Sequence, residues 1–219
     1  MKDEIHASKE NYLKAILEAE AEGQTVIPAA LAHRLEVSAP AVTMALKRLK
    51  RDGQVEVGAD GIVRLTGTGR EVAYRTLLRH HLVERMLSEI FGMEWHEIHE
   101  EADRLEHAVS PAFEAKLKEK LGEGGACPHG NAVLPVNPAE RRQRGELPLS
   151  ETITGRRYTV VSLQESDPKL LEFLHGVGVG PGKSLRVTSQ NYDQTVSIEL
   201  DTGTSVLGRP AAEAVWVKQ

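Results

Sequence analysis

The stretch that most limits what this chain can fold into is residues 28–53, PAALAHRLEVSAPAVTMALKRLKRDG. Pro28 stands where a first helical turn tolerates a missing N–H. The helix it opens ends at a break over residues 36–38. Ser38 is placed to cap a second helix, Pro40 falls in its first turn, and Gly53 stops it. Ala32, Leu35, Val37, Val42, Leu46 and Leu49 have the spacing of two short helices packed around a tight turn. Two β-branched runs follow, QVEV (54–57) and GIVRLT (61–66), with turn residues 58–61 between them, which predicts a hairpin. A helix-turn-helix with a hairpin behind it is a winged helix. The segment before it, SKENYLKAILEAEAE (8–22), brings Tyr12, Leu13, Ile16 and Leu17 to one face of a helix, with Ser8 as its expected N-cap and Gly23 as its stop.

Charge is divided along the chain rather than spread over it. The net charge is −5 over 219 residues, which argues against a uniformly nucleic-acid-binding surface. Residues 38–51 nevertheless carry Lys47, Arg48, Lys50 and Arg51 and no acid. A recognition helix enters the major groove with its N-terminal residues toward base edges. Ser38, Pro40 and Met44 are the candidates for base contacts, and Thr43, Lys47, Arg48 and Arg51 for phosphates, which fix position rather than sequence.

Residues 84–119 reverse the balance, with ten Asp or Glu against four Lys or Arg, and with His96, His99 and His107 among them. A long helix is expected over 68–92, from Val72, Leu77, Leu78, Leu82, Met86, Leu87 and Ile90. A second is expected over about 94–109, and a third from Ser110 and Pro111 to about Leu121. The first puts His80 and Glu84 one turn apart on one face. The second puts His99, Asp103, Glu106 and His107 on one stripe. Two helices that each offer imidazole and carboxylate can share metal ions between them, and an oxygen-rich set leans toward hard ions such as Mn(II). Glu97, Glu100 and Glu101 read as a solvated face.

Residues 123–154 are rich in Gly, Pro, Asn and Arg and read as a linker. From residue 155 short β-runs return, RYTVVSLQ, SLRVTS, TVSIEL and AVWV, with a helical piece at DPKLLEFLHGVG. Strands at this spacing predict a small barrel.

Several stretches carry a resemblance that spans the chain: ENYLKAI, LAHRLEVSAPAVTMALKRLKRDG, LTGTGR, RHHLVERML and HEEADRLEHAVS. In these the chain resembles the diphtheria toxin repressor family of metal-dependent transcriptional regulators. The resemblance implies a mainly α protein with β: a winged helix-turn-helix over 1–70, a helical metal-binding and dimerisation domain over 71–122, a linker, and an SH3-like, FeoA-like domain over 155–219. It implies that Glu106 and His107 hold the regulatory metal. Asp103 stands where iron-responsive members carry a Cys and manganese-responsive ones a Glu. Asn11 stands where the same two groups carry a Met and an Asp. Oxygen in place of soft sulfur moves the set toward Mn(II), with Fe(II) the alternative. His80, Glu84 and His99 match the family's ancillary site. Cys127 and His129, in CPHG, resemble a second metal loop of some manganese-responsive members and could take Zn(II). Glu165 and Asp167 are the nearest acids of the last domain, and Asp167 is the one assigned to this secondary set.

The function expected is therefore repression of manganese or iron homeostasis genes by a homodimer on palindromic double-stranded operator DNA. In the expected linkage, metal ties the DNA-binding domain to the dimerisation helices. The single cysteine, Cys127, excludes an intrachain disulfide. With no apolar leader at the start and no membrane-length apolar run, the location expected is cytoplasmic and off the membrane. Two other classes fit parts of the pattern. A mononuclear metallo-enzyme would use an open His/Asp/Glu site to activate water. A winged-helix sensor of an organic ligand would bind its operator regardless of chelators.

Overall fold

The computed structural model describes residues 9–219, so Ser8, the expected first cap, lies outside the described residues. The chain divides into two compact units. One takes the chain through His80 together with Val133–Pro138; the other takes His81–Ala132 with Ala139–Gln219.

In the first unit, α1 (Lys9–Ala21), α2 (Pro28–Arg34) and α3 (Ala39–Arg51) precede a hairpin of β1 (Val55–Val57) and β2 (Val63–Leu65). Leu13, Ile16, Leu17, Leu31, Val42, Leu49, Val55 and Val63 close on one core. Tyr12, Leu13, Ile16, Leu17, Val42, Leu46 and Leu49 of the sequence repeat are inside it and Ala32, Leu35 and Val37 pack against it; α3 offers it one apolar face, whereas α1 is buried continuously from Tyr12 to Leu17. Ser38 caps α3, its Oγ accepting the Ala41 N–H at 3.4 Å. The hairpin is antiparallel, with Val55 opposite Leu65 and Val57 opposite Val63. Its turn is fastened by Asp60, which accepts the Ile62 N–H at 3.0 Å. Glu20 ties α1 to the wing side, accepting from Leu65 N at 3.3 Å and from Arg70 at 2.7 Å.

Helix α4 (Gly67–Arg85) passes into a π-helical turn over Met86–Ile90, and α5 (Ile98–Leu105) into a 3-10 turn over Glu106–Ala108. These are corrections to two expectations. The first helix keeps its α form only to Arg85. Residues 94–97 precede α5 instead of opening it. Val83, Leu87, Ile98 and Ala102 form a small core between these elements. Next come α6 (Pro111–Leu121), capped by Ser110, and the short α7 (Pro138–Gln143).

The last part is a six-stranded antiparallel sheet in the order β3-β8-β4-β5-β6-β7. Its strands are β3 (Glu146–Pro148), β4 (Arg157–Leu163), β5 (Ser184–Gln190), β6 (Val196–Leu200), β7 (Gly203–Leu207) and β8 (Val215–Lys218), joined by α8 (Pro168–Gly176) and α9 (Arg209–Ala214). Alternate residues point inward, so Tyr158, Val160, Leu185, Val187, Ile198, Val215 and Val217 share one core. The expected linker was drawn too long. β3 lies within it and pairs with β8, Leu147 opposite Val217. β7 was not anticipated. Arg141, also from the expected linker, stacks over the Trp216 ring at 4.6 Å. No helix among the described residues is long and apolar enough to cross a membrane.

Candidate functional site

The first unit presents a basic helix face. α3 buries Val42, Leu46 and Leu49 and exposes Ser38, Pro40, Thr43, Met44, Lys47, Arg48, Lys50 and Arg51. Met44 is 52% exposed, a large apolar side chain left in water midway along that face. Two of the candidates also serve the helix itself. Ser38 caps it, and the Thr43 hydroxyl donates to the Ala39 carbonyl at 3.0 Å. Arg51 donates to Asp52 at 3.2 Å, and Lys9 pairs with the same carboxylate. On the wing, Arg64 is held by Asp60 at 3.2 Å. A helix with exposed cations at Lys47, Arg48 and Lys50, no acid and an exposed apolar side chain suits phosphates on its flanks and a base edge between them.

The second unit contains a buried cluster of ionisable groups. His81 and Glu84 come from the last turns of α4, His99 from the start of α5, Cys127 and His129 from the loop after α6, and Glu165 from just beyond β4. The loop is fixed by backbone bonds. Cys127 N donates to Asn131 O and Gly130 N to Cys127 O, both at 2.8 Å; Leu163 N donates to His129 O at 2.9 Å. Asn131 Nδ2 bridges Leu163 O at 2.8 Å and Glu165 Oε2 at 2.9 Å. Upstream, Arg85 holds the carbonyls of Leu121 and Gly124 at 2.6 and 3.1 Å, which anchors the exit from α6.

Within the cluster, Glu84 Oε1 lies 3.1 Å from His99 Nδ1 and 3.4 Å from His129 Nδ1. Glu165 Oε2 lies 3.1 Å from His129 Nδ1 and 3.4 Å from Cys127 Sγ, and Glu165 Oε1 lies 3.7 Å from His81 Nε2. Ligand atoms of His81, Glu84, Cys127 and Glu165 all fall within 4.8 Å of one another. Glu84 and His129 are both 0% exposed.

Two carboxylates buried this closely need positive charge, since each desolvated ion costs several kcal/mol unless compensated. In this structure protons supply it. Burial disfavours the His129 imidazolium, yet the charge of Glu84 and hydrogen bonds to Glu165 and Glu84 outweigh it and push the pKa up to about 10. Burial, then the charges of Glu165 and Glu84, hold the Cys127 thiol well above its usual range. Burial and Glu84 oppose ionisation of Glu165, but hydrogen bonds from His129 and His81 hold its carboxyl well below the usual range. His129 Nε2 is buried with no hydrogen-bond partner among the described residues. A thiol, imidazoles and carboxylates converging in this way form a donor set that fits a divalent transition ion.

Asp167 has a different task. Its Oδ1 accepts the N–H groups of Lys169 and Leu170 at 3.0 and 3.2 Å, capping α8. Glu165, two residues earlier, is the acid that reaches the cluster. His81 also joins it without having been singled out in the sequence, although the doublet His80–His81 directly before Glu84 was a usable signal.

The other expected set is distributed as follows. Glu106 is fully buried at the start of the 3-10 turn, with His107 Nε2 3.4 Å from its Oε1. Asp103 is half-buried one turn earlier, 3.9 Å from His99 Nε2. The 3-10 turn takes Glu106 and His107 off the α-helical phase assumed for a single stripe. In the first unit, Asn11 is half-buried on α1, and buried His80 has its Nδ1 3.2 Å from the ammonium of Lys14, itself only 6% exposed.

Comparison with known proteins gives three family models along the chain. Residues 4–61 match the iron dependent repressor N-terminal DNA binding domain, residues 66–135 the iron dependent repressor metal binding and dimerisation domain, and residues 147–219 the FeoA domain. The diphtheria toxin repressor of Corynebacterium glutamicum is 32% identical over 199 residues, 87% of each chain. The iron-dependent repressor IdeR of Mycobacterium tuberculosis strain H37Rv is 33% identical over 196 residues, 84% of this chain and 85% of that one. Among solved structures, a manganese-dependent transcriptional repressor in complex with manganese superposes with a TM-score of 0.85 at 32% identity, over 97% of this chain and all of that one.

Proposed function

The chain belongs to the diphtheria toxin repressor family of metal-dependent transcriptional repressors, and on that premise we propose that Mn(II) is the ion that licenses its binding to operator DNA. Its relatives are transcriptional repressors and not enzymes, so the metallo-enzyme expectation falls. The N-terminal domain binds DNA and the helical domain binds metal and dimerises. In the reading proposed here, the homodimer sets two copies of α3 into successive major-groove half-sites, about 34–36 Å apart on a palindromic operator. The genes it silences are those of manganese or iron homeostasis.

Asn11, Asp103, Glu106 and His107 hold the activating ion. Glu106 carries the proposal: its fully buried carboxyl group lies 3.4 Å from the His107 imidazole, and a divalent ion held between such donors offsets the cost of burying that charge. Three of the four donors offer oxygen and none offers sulfur, which favours Mn(II) over softer ions. Glu84, His99, Cys127, His129 and Glu165, with His81, form a second, softer site that suits Zn(II) in addition. The bound ion supplies charge neutralisation and a fixed linkage between donors. The chain's own part is to offer those donors best in the conformation that fits DNA, since an ion shifts an equilibrium only by its differential affinity for the two states.

Fe(II) is the second reading, favoured by relatives at 33% identity that are named iron-dependent. The test is a titration of labelled operator with dimer under anaerobic conditions, in Mn(II), Fe(II), Zn(II) or EDTA. Mn(II) is expected to tighten binding more than Fe(II) does at equal free concentration. Stronger activation by Fe(II) selects the second reading, and equal affinity in EDTA sinks both.

A further inference from the structure

A third group of donors lies outside both sets. Glu94 and His96 flank Trp95 in the segment between the π-helical turn and α5, and His175 comes from the last turn of α8. One ligand atom from each falls within 4.8 Å of the others. The two imidazoles stack with centroids 3.8 Å apart and planes 20° from parallel. The placement is held from behind by Trp95. Its ring meets both imidazoles edge-on, at 5.8 Å for His96 and 5.7 Å for His175. It also packs on the backbone of Gly180, where an added Cβ would stand 3.4 Å from Cζ2.

Two features of this group call for a ligand. His96 Nδ1 is buried with no hydrogen-bond partner among the described residues, a state that leaves its desolvation uncompensated. The second is the donor set itself: two imidazoles and one carboxylate from two separate elements, half-buried at His96 and open to water at Glu94 and His175. Once one imidazole turns out of the stack, so that the two in-plane lone pairs meet, such a set fills part of a coordination sphere and leaves positions for water. Glu97, whose Oε1 is 4.0 Å from His96 Nε2, is a further acid at its edge.

We propose that Glu94, His96 and His175 form a third divalent-cation site, selective for borderline ions of the Zn(II), Ni(II) and Co(II) kind over Mn(II). Imidazole nitrogen dominates the set, and nitrogen sites rank Mn(II) at the bottom of the first-row order. The site fastens the helical part of the second unit to α8. Trp95 links it to the buried cluster, because the same indole meets His129 edge-on at 6.1 Å. A borderline ion here therefore braces the wall of the cluster without occupying it. The proposal stands apart from the choice of activating metal.

The test counts metal. Full-length protein, His175→Ala and Glu94→Gln are dialysed to equilibrium against one free Zn(II) concentration, and bound zinc is measured by elemental analysis. Both substituted side chains are exposed, so the fold is not at stake, and melting without metal verifies that. The parent is expected to hold one more zinc per protomer than either variant, and Zn-edge anomalous diffraction should place that ion between Glu94 and His175. Identical stoichiometry in all three proteins, or an anomalous map with no peak there, overturns the proposal. Operator binding in Mn(II) is read on the same samples. Loss of Mn(II) dependence in the parent would refute the proposed function while leaving the zinc count to decide this site.

Discussion

Glu106 and Cys127 show what single side chains contribute. Glu106 is buried fully, so truncation would mix charge loss with a cavity, whereas Glu106→Gln keeps the volume and removes only the charge. Anisotropy titration of this variant is expected to show Mn(II)-stimulated operator affinity reduced by about 5–150-fold, the range of a lost allosteric coupling, with its melting unchanged or raised. At the second cluster, His129 is protonated with a pKa of about 10 and the Cys127 thiol is kept protonated by burial and by the nearby carboxylates. An ion that takes both must expel their protons. The sign follows: ion affinity at this cluster falls as pH falls, and loading in weak buffer acidifies the solution. Loading without proton release, followed with a pH indicator, would contradict these assignments. Residue-level legibility was uneven for a physical reason. Asp167 followed by Pro168 is a helix-start signal, and a carboxylate that accepts two N–H groups has its lone pairs engaged. Read that way, the sequence favours Glu165 as the donor.

Helices and strands were legible where their periodicity was long and their punctuation strong. Ser38, Pro40 and Gly53 bracket α3 at both ends, and its buried positions match the repeat. β3 was hidden because three residues ending in proline give no alternation to read. The π-helical turn after Arg85 and the 3-10 turn at Glu106 were hidden because both keep a near-helical pattern while changing its phase. The CPHG loop depends on one glycine. Gly130 has φ +85°, and a Cβ there would sit 2.0 Å from the Val161 carbonyl oxygen. Gly130→Ala is expected to push the loop off β4 and misplace Cys127 and His129. Calorimetric titration should show zinc affinity at this cluster reduced at least tenfold, with operator binding in saturating Mn(II) less affected. Parent-like zinc affinity in this variant would show that the loop does not set the site.

The whole molecule carries a DNA binding domain and a metal binding and dimerisation domain in one chain. Its helical part leaves Phe91, Phe113 and Ile90 at 68%, 45% and 42% exposed, an apolar set that a second copy would cover. Phe91→Glu is expected to sediment as a monomer and to bind operator more weakly, because one α3 can hold only one half-site. A variant that remains dimeric would move the interface elsewhere. Architecture at this scale was readable from helical and strand periods, whereas the metal sites draw donors from elements far apart in sequence, which no local period can signal. His175 meeting Glu94 and His96 is the plainest instance. The central claim is that metal licenses DNA binding, and operator affinity against free Mn(II) tests it most directly. Affinity should rise with occupancy in the parent and fall back on adding EDTA to the level of metal-free protein, and stay flat in Glu106→Gln with or without EDTA. An operator affinity independent of Mn(II) in the parent would contradict the account.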